Sequence, residues 1–128
     1  MMWRVLLRVA AVLLTLHGLS TLALARVVYP HDDLLTLLFA EHGFAFLFLV
    51  GLNLAVWSSP PRTGAMRTAT HLANVLFLAL SVGLATLKPE PPMVVAAVLI
   101  GLLTIAGVGL EVTTGKTPKD FHREEKLS

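Results

Sequence analysis

The feature that most constrains the fold is a set of four apolar stretches, each long enough to cross a membrane as an α-helix. A helix needs roughly 20 apolar residues to span the hydrocarbon core, and Leu, Ala and Val fill each stretch. Segments rich in proline or glycine separate the stretches and stop helices there. The alternating short segments of a membrane β-barrel are not seen in the sequence. The predicted spans are residues 5–25, 34–57, 68–87 and 93–112.

Composition supports an integral membrane protein and excludes several other classes. The 128 residues are 55% hydrophobic and 14% charged, whereas soluble domains carry about 25% charged residues. The absence of cysteine excludes disulfide scaffolds, iron–sulfur clusters and cysteine zinc sites. Asp32 and Asp33, beside His31, are interpreted as N-cap residues and not as metal ligands. We predict an all-α membrane four-helix bundle over residues 1–115, up-down-up-down with short loops, and a charged tail over residues 116–128.

The first span also has features of a cleavable signal peptide. Arg4 and Arg8 precede its apolar run, and Ala23-Leu24-Ala25 resembles a cleavage site. However, the apolar run after Arg8 is about 17 residues long and exceeds the usual signal core of about 7–15 residues. We therefore expect the first span to be retained as a transmembrane helix.

Basic residues are distributed unevenly between the two predicted sides of the bundle. Arg26 and Lys88 fall on the side where spans 1 and 2, and spans 3 and 4, are joined. The other eight fall on the opposite side: Arg4, Arg8, Arg62, Arg67, Lys116, Lys119, Arg123 and Lys126. By the positive-inside rule, both termini are predicted to be cytoplasmic in a bacterial-type inner membrane. The net charge of +2 then reflects topology and lipid contact, and no nucleic-acid partner is expected.

Ionisable residues inside membrane spans are costly and mark candidate functional sites. At a rise of about 1.5 Å per residue, His17 and His42 lie at nearly the same depth, roughly 12–14 Å below the surface where spans 1 and 2 are joined. Glu41 lies one residue higher. His17, Glu41 and His42 are therefore the candidate cofactor-binding residues.

Three interpretations of His17, Glu41 and His42 remain open. They could form a histidine–glutamate hydrogen-bonded pair that closes the bundle, or they could donate to a quinone carbonyl or pass protons. Two histidines at one depth on neighbouring helices could also be the axial ligands of a b-type haem. No other catalytic signature accompanies them, since the sequence lacks HExxH, GxSxG, P-loop and nucleotide-binding motifs.

A second polar group lies towards the opposite side of the predicted bundle. Asn and His side chains commonly hydrogen-bond across membrane helices and stabilise them by about 0.6–2 kcal/mol each. We therefore expect this group to be structural, with Glu111 paired to Arg8 or Arg67. The group comprises Asn53, His71, Asn74 and Glu111.

The layout resembles the DoxX-like group of small four-helix bacterial membrane proteins. The resemblance rests on residues 4–18, which end in His17-Gly18, on Glu41 with Gly43 and Gly51, and on the glycine-rich fourth span. It covers most of the chain. Members are associated with quinone-linked redox complexes or have no assigned activity, so the resemblance implies a respiratory or redox-accessory role that involves His17 and Glu41.

Three functions follow as hypotheses from these observations. The first is an accessory or scaffold subunit that docks to a larger membrane complex or to a second copy of itself. The second is a membrane-embedded quinone- or haem-binding redox protein. The third is an oligomeric proton-coupled transporter, since four helices alone leave little room for a path. The first is the prediction, and the others are alternatives to it.

Overall fold

The structure is a computed structural model that describes residues 1–57, 63–114 and 126–127. It contains four long helices, and each is long and apolar enough to cross a membrane. Together with the absence of strands from the described part of the chain, they confirm the all-α prediction. The predicted tail lies outside the described residues except for Lys126 and Leu127. The helices are α1 (Met2–Val28), α2 (Asp33–Trp57), α3 (Gly64–Leu87) and α4 (Pro91–Thr114).

Local signals explain where the helices begin. Asp32 accepts a hydrogen bond from the Leu35 backbone N–H at 2.9 Å, so it acts as the predicted cap of α2. Thr63 accepts one from the Met66 N–H at 3.3 Å, and α3 therefore starts earlier than the predicted span. α4 begins at Pro91, a position where the missing N–H has no intrahelical partner to lose.

The helices pack mainly in the order α2–α1–α4–α3. Helix α1 makes extensive contacts with α2 and α4, α3 packs mainly on α4, and the contact between α2 and α3 is small. The buried apolar core comes from α1, α2 and α4, with Leu14, Leu49, Ile100 and Leu103 fully enclosed. The described residues of α3 that are buried are instead polar: Thr70, Asn74 and Ser81. Large apolar side chains cover the outer faces of all four helices, as lipid-facing surfaces require.

The bundle has two distinct ends. The loop end carries the connections between α1 and α2 (residues 29–32) and between α3 and α4 (residues 88–90). The terminus end carries Met1 and the last turn of α4 at Thr114, together with the end of α2 and the start of α3. His17 and His42 lie in the half nearer the loop end, and Asn53 and Asn74 lie in the other half.

Candidate functional site

The two His-Gly pairs of the sequence meet at one helix crossing. A Cβ atom added to Gly43 would lie 2.8 Å from the carbonyl oxygen of Gly18, and one added to Gly18 would lie 3.1 Å from the carbonyl oxygen of Gly43. The backbones of α1 and α2 are therefore in direct contact there, which is possible because both residues lack a side chain. Because His17 precedes Gly18 and His42 precedes Gly43, this contact brings both histidines close to the helix crossing.

The two imidazoles flank this crossing and differ in their hydrogen bonding. The Nδ1–H of His42 donates to the Leu38 carbonyl oxygen at 2.8 Å, since a carbonyl can only accept. The free ring nitrogen of neutral His42 is then Nε2, which is an acceptor. His17 is half-buried, and among the described residues its ring has no hydrogen-bond partner. The pair thus offers one defined acceptor and one uncommitted imidazole.

The ring of Phe46 is a shared neighbour of both histidines. Its centroid lies 5.5 Å from that of His17 and 6.4 Å from that of His42. Phe46 is buried, whereas Phe44 and Phe48 on the same helix are exposed. The phenylalanine that touches both imidazoles is therefore held rigidly in the core.

A cavity of about 140 Å³ opens beside these rings at the loop end. Both histidines line it, and Thr21 and Tyr29 add two hydroxyl groups. The Thr21 hydroxyl donates to the His17 carbonyl at 2.8 Å, so its oxygen faces any occupant as an acceptor. Helices α2, α3 and α4 form the remaining wall: Leu35, Leu38, Phe39, Phe46, Leu84, Pro92, Met93 and Ala96.

Glu41 lies outside the cavity. It was grouped with His17 and His42 in the sequence, but the structure places it apart from them. Adjacent residues on a helix point about 100° apart, so Glu41 cannot share the direction of His42. It is exposed on α2 and does not line the cavity. The sequence predicts how deep Glu41 and His42 lie along α2. The direction in which each side chain points depends on the helices that pack against α2, and the sequence alone does not give them.

The second polar group forms a buried amide pair between α2 and α3. The side-chain N–H of Asn53 donates to the Asn74 carbonyl oxygen at 2.7 Å, and that of Asn74 donates back to Asn53 at 2.9 Å. Asn53 also donates to the Leu49 carbonyl at 2.9 Å. Both residues are fully buried. The geometry is that of an interhelical clamp, as expected for a structural role.

The other two members of that group lie one layer nearer the terminus end. Glu111 forms an ion pair with Arg67 at 3.2 Å and contacts His71 Nε2 at 3.4 Å. Of the two predicted partners of Glu111, the structure thus selects Arg67. His71 also packs against the ring of Trp57, with centroids 5.5 Å apart.

Sequence reasoning missed three residues near these polar groups. Tyr29 lines the loop-end cavity although it follows the predicted end of the first span. The indole nitrogen of Trp57 is buried and has no hydrogen-bond partner in the described structure. Gly107 makes room for it, since a Cβ there would lie 3.5 Å from that nitrogen. An interfacial aromatic residue and a glycine in a helix are too common to have singled these residues out.

The search for related proteins gives no family. No protein-family model, curated protein or solved structure matches the chain. Among the described residues, no group of three or more His, Asp or Glu side chains could hold a metal ion. Function is therefore inferred from the geometry of the site itself.

Proposed function

We propose that the protein binds a single-ring, quinone-type molecule in the loop-end cavity. The observation that carries this proposal is the meeting of the two His-Gly pairs, which brings His17 and His42 onto the wall of one cavity. Intramembrane sites of this kind, apolar with a few convergent polar groups, are the usual setting for small-molecule binding.

The cavity volume supports a ligand of the size of one ring. Apolar protein cavities of roughly 150 Å³ hold a benzene molecule, and the volume here is about 140 Å³. A haem macrocycle is several times larger than one ring and does not fit without moving the helices apart. The backbone contact between Gly18 and Gly43 opposes such a separation. The volume therefore favours a single ring over a haem macrocycle as the ligand.

The polar groups select the chemistry of the ring. A hydroquinone hydroxyl can donate to His42 Nε2, because Nδ1 is already committed to Leu38. The uncommitted imidazole of His17 can donate to a ring carbonyl or accept from a hydroxyl. The resemblance to DoxX-like proteins agrees with a quinone-linked role.

Calorimetric titration of the detergent-solubilised protein tests this proposal. The ligand is a dimethoxybenzoquinone with a decyl tail, in its oxidised and reduced forms. Saturable binding is expected, and His17→Leu and His42→Leu should each weaken it about five- to tenfold, the effect of one lost hydrogen bond. His31→Leu is the matched control, because His31 is exposed and does not line the cavity. Equal affinities in all variants, or a Soret band in the purified protein, would contradict the proposal.

The exposed face of α2 favours a second function, that of an accessory subunit. Glu41 shares this face with Leu37, Phe44 and Phe48, all exposed. It lies about 12 Å along α2 from Asp33, at a rise of 1.5 Å per residue. A carboxyl group facing lipid at this depth is costly, and a second copy or another membrane subunit that hydrogen-bonds to it would remove that cost. We infer that this face docks to protein.

Site-specific photocrosslinking tests the docking of α2. A photoreactive residue at Phe48 should give one adduct of defined mass in membranes, and Glu41→Leu should abolish it. The same residue at Val75, exposed on α3, is the control and should give none. An adduct of twice the chain mass would identify self-association. No adduct at Phe48 would mean that lipid covers the face, and the accessory-subunit proposal would fail.

The orientation of the bundle is likewise a proposal. We infer a bacterial-type inner membrane with cytoplasmic termini from the eight basic residues on the terminus side against Arg26 and Lys88 on the loop side. Within the described residues, Arg26 pairs with Asp33 and Lys88 with Glu90 at the loop end, and Arg67 pairs with Glu111 at the terminus end. The positive-inside rule counts basic residues and not net charge, so the proposal rests on the unequal number of basic residues at the two ends.

A further inference from the structure

A groove with a basic lining lies between α1 and α4 at the terminus end. It has a volume of about 560 Å³, and Arg4 and Arg8 line it one turn apart on the same face of α1. No acidic side chain lines it, and neither arginine forms an ion pair with a described residue. Thr113 and Thr114 complete the wall from α4. The groove is thus positively charged in the part of the chain that the structure describes.

Two apolar grooves share lining residues with this basic groove, Arg8 in one and Trp3 with Thr113 in the other. One, of about 370 Å³, follows α1 from Arg8 to Leu16 and is also lined by Leu54 of α2. The other, of about 380 Å³, follows α4 from Thr113 back to Thr104. At 1.5 Å per residue these grooves are roughly 12 and 14 Å long. That length is close to half of the hydrocarbon core of a bilayer, which is about 30 Å thick.

The indole of Trp3 lies where the α4 groove leaves the basic groove and lines both. It packs flat against Gly109, where an added Cβ atom would overlap the ring. Tryptophan prefers the level of the lipid headgroups. Trp3 therefore places the basic groove at the interface and the two apolar grooves below it.

We propose that this three-part surface binds one anionic phospholipid with two acyl chains. The phosphate lies between the guanidinium groups of Arg4 and Arg8, which suit its oxygens as charged donors. The hydroxyls of Thr113 and Thr114 donate to their own helix, at 2.9 Å to Gly109 and 2.6 Å to Leu110, so their oxygens remain as acceptors for hydroxyls of the headgroup. One acyl chain follows α1 and the other follows α4. This site is independent of the loop-end cavity.

Competitive binding measured by native mass spectrometry tests the lipid site on the full chain. Dioleoyl phosphatidylglycerol should displace dioleoyl phosphatidylcholine, and one bound lipid should survive mild activation. A basic residue near a membrane surface contributes about 1 kcal/mol to anionic lipid binding, which is about fivefold in affinity. Arg4→Gln combined with Arg8→Gln should therefore lower the affinity for phosphatidylglycerol about 30-fold. Arg26→Gln combined with Lys88→Gln removes the same charge at the loop end and should leave the affinity unchanged.

A groove variant and three further ligands distinguish a two-chain anionic lipid site from a general lipid site and from a site for free phosphate. Val108→Trp fills the α4 groove from an exposed position and should remove the preference for a two-chain lipid over its single-chain lyso form. Equal binding of phosphatidylglycerol and phosphatidylcholine by the wild-type chain would overturn the proposal, and this comparison holds even if a variant fails to fold. Displacement of the lipid by glycerol phosphate at equal concentration would also overturn it, by indicating a site for free phosphate.

Discussion

At the scale of single residues, the absence of two side chains determines where α1 and α2 touch. Gly18 and Gly43 allow the backbones to meet, and His17 and His42 are carried to the edges of that contact. Gly51 lies on the same helix as Gly43 but has open space where a Cβ would stand. The same residue type is therefore required at one position of α2 and replaceable at another.

Gly43→Ala should destabilise the bundle by about 1–3 kcal/mol, the usual cost of overpacking a tight contact. The new Cβ would lie 2.7 Å from Leu22 Cγ and 2.8 Å from the Gly18 carbonyl oxygen, so α1 and α2 must separate. Gly51→Ala, the same change on the same helix, should be neutral. Thermal unfolding in detergent compares the two variants, and equal melting temperatures would contradict the backbone contact.

His17 and His42 should behave as one unit because both contact Phe46 and the same cavity. His17→Ala and His42→Ala should each lower the unfolding free energy. The double variant should cost less than the sum by about 0.5–2 kcal/mol, which is the range for residues that share a neighbour. Asn74→Ala, in the other half of the bundle, should add independently to either change. Additive effects of His17→Ala and His42→Ala would show that the two rings have separate surroundings.

At the scale of helices, α3 is attached differently from the other three. The buried residues among its described positions are polar, and its contact with α2 is short. The reciprocal hydrogen bonds between Asn53 and Asn74 therefore have a large share in holding α3 to α2. Near the loop end, where no such pair is seen in the described structure, the cavity lies between residues of α2 and Leu84 of α3.

The amide pair predicts a coupled effect on stability. Asn53→Ala or Asn74→Ala leaves a buried amide without its partner, which costs about 1–3 kcal/mol. The double variant should recover about 0.6–1.7 kcal/mol of that sum, the range for interhelical hydrogen bonds in membrane proteins. Thr15→Ala is the control and should be additive with Asn74→Ala, because its hydroxyl bonds to Ala11 of its own helix at 2.7 Å. Equilibrium unfolding in detergent and denaturant measures all of these energies.

The helices were predictable from the sequence because lipid imposes length and hydropathy on each span separately. The depth of His17 and His42 was predictable for the same reason, since rise per residue is constant. Direction around a helix depends on neighbours, so the sequence grouped Glu41 with the histidines and did not find Tyr29. The partner of Glu111 was narrowed to Arg8 or Arg67 by depth, and packing decided it.

At the scale of the whole molecule, the two ends differ in charge and in the kind of groove they present. The terminus end has Arg4 and Arg8, which pair with no acidic residue of the described structure, beside two apolar grooves, and the loop end has a small cavity with two imidazoles. The proposed lipid site and the proposed ring site are thus at opposite membrane surfaces. The orientation of the bundle decides which compartment each one faces.

The proposed orientation predicts the labelling pattern of intact cells. Asp33→Cys, at the exposed start of α2, should react with a membrane-impermeant maleimide added outside. A reporter enzyme that works only in the cytoplasm should be active when it is fused after Ser128. If the cysteine reacts only in permeabilised cells, the orientation is the reverse of the proposed one, and the fold is unaffected by that result.

Photolabelling with an azido-benzoquinone tests the proposed ring-binding site directly, because it reports which residues surround a bound ring. We expect light to attach the label to both α1 and α2, within residues 17–21 and 38–46, and excess unlabelled benzoquinone to prevent this. Mass spectrometry of the digested protein locates the adducts. Labelling confined to the exposed faces of the helices, or labelling near His17 that excess ligand does not reduce, would contradict a ring-binding site formed by His17 and His42.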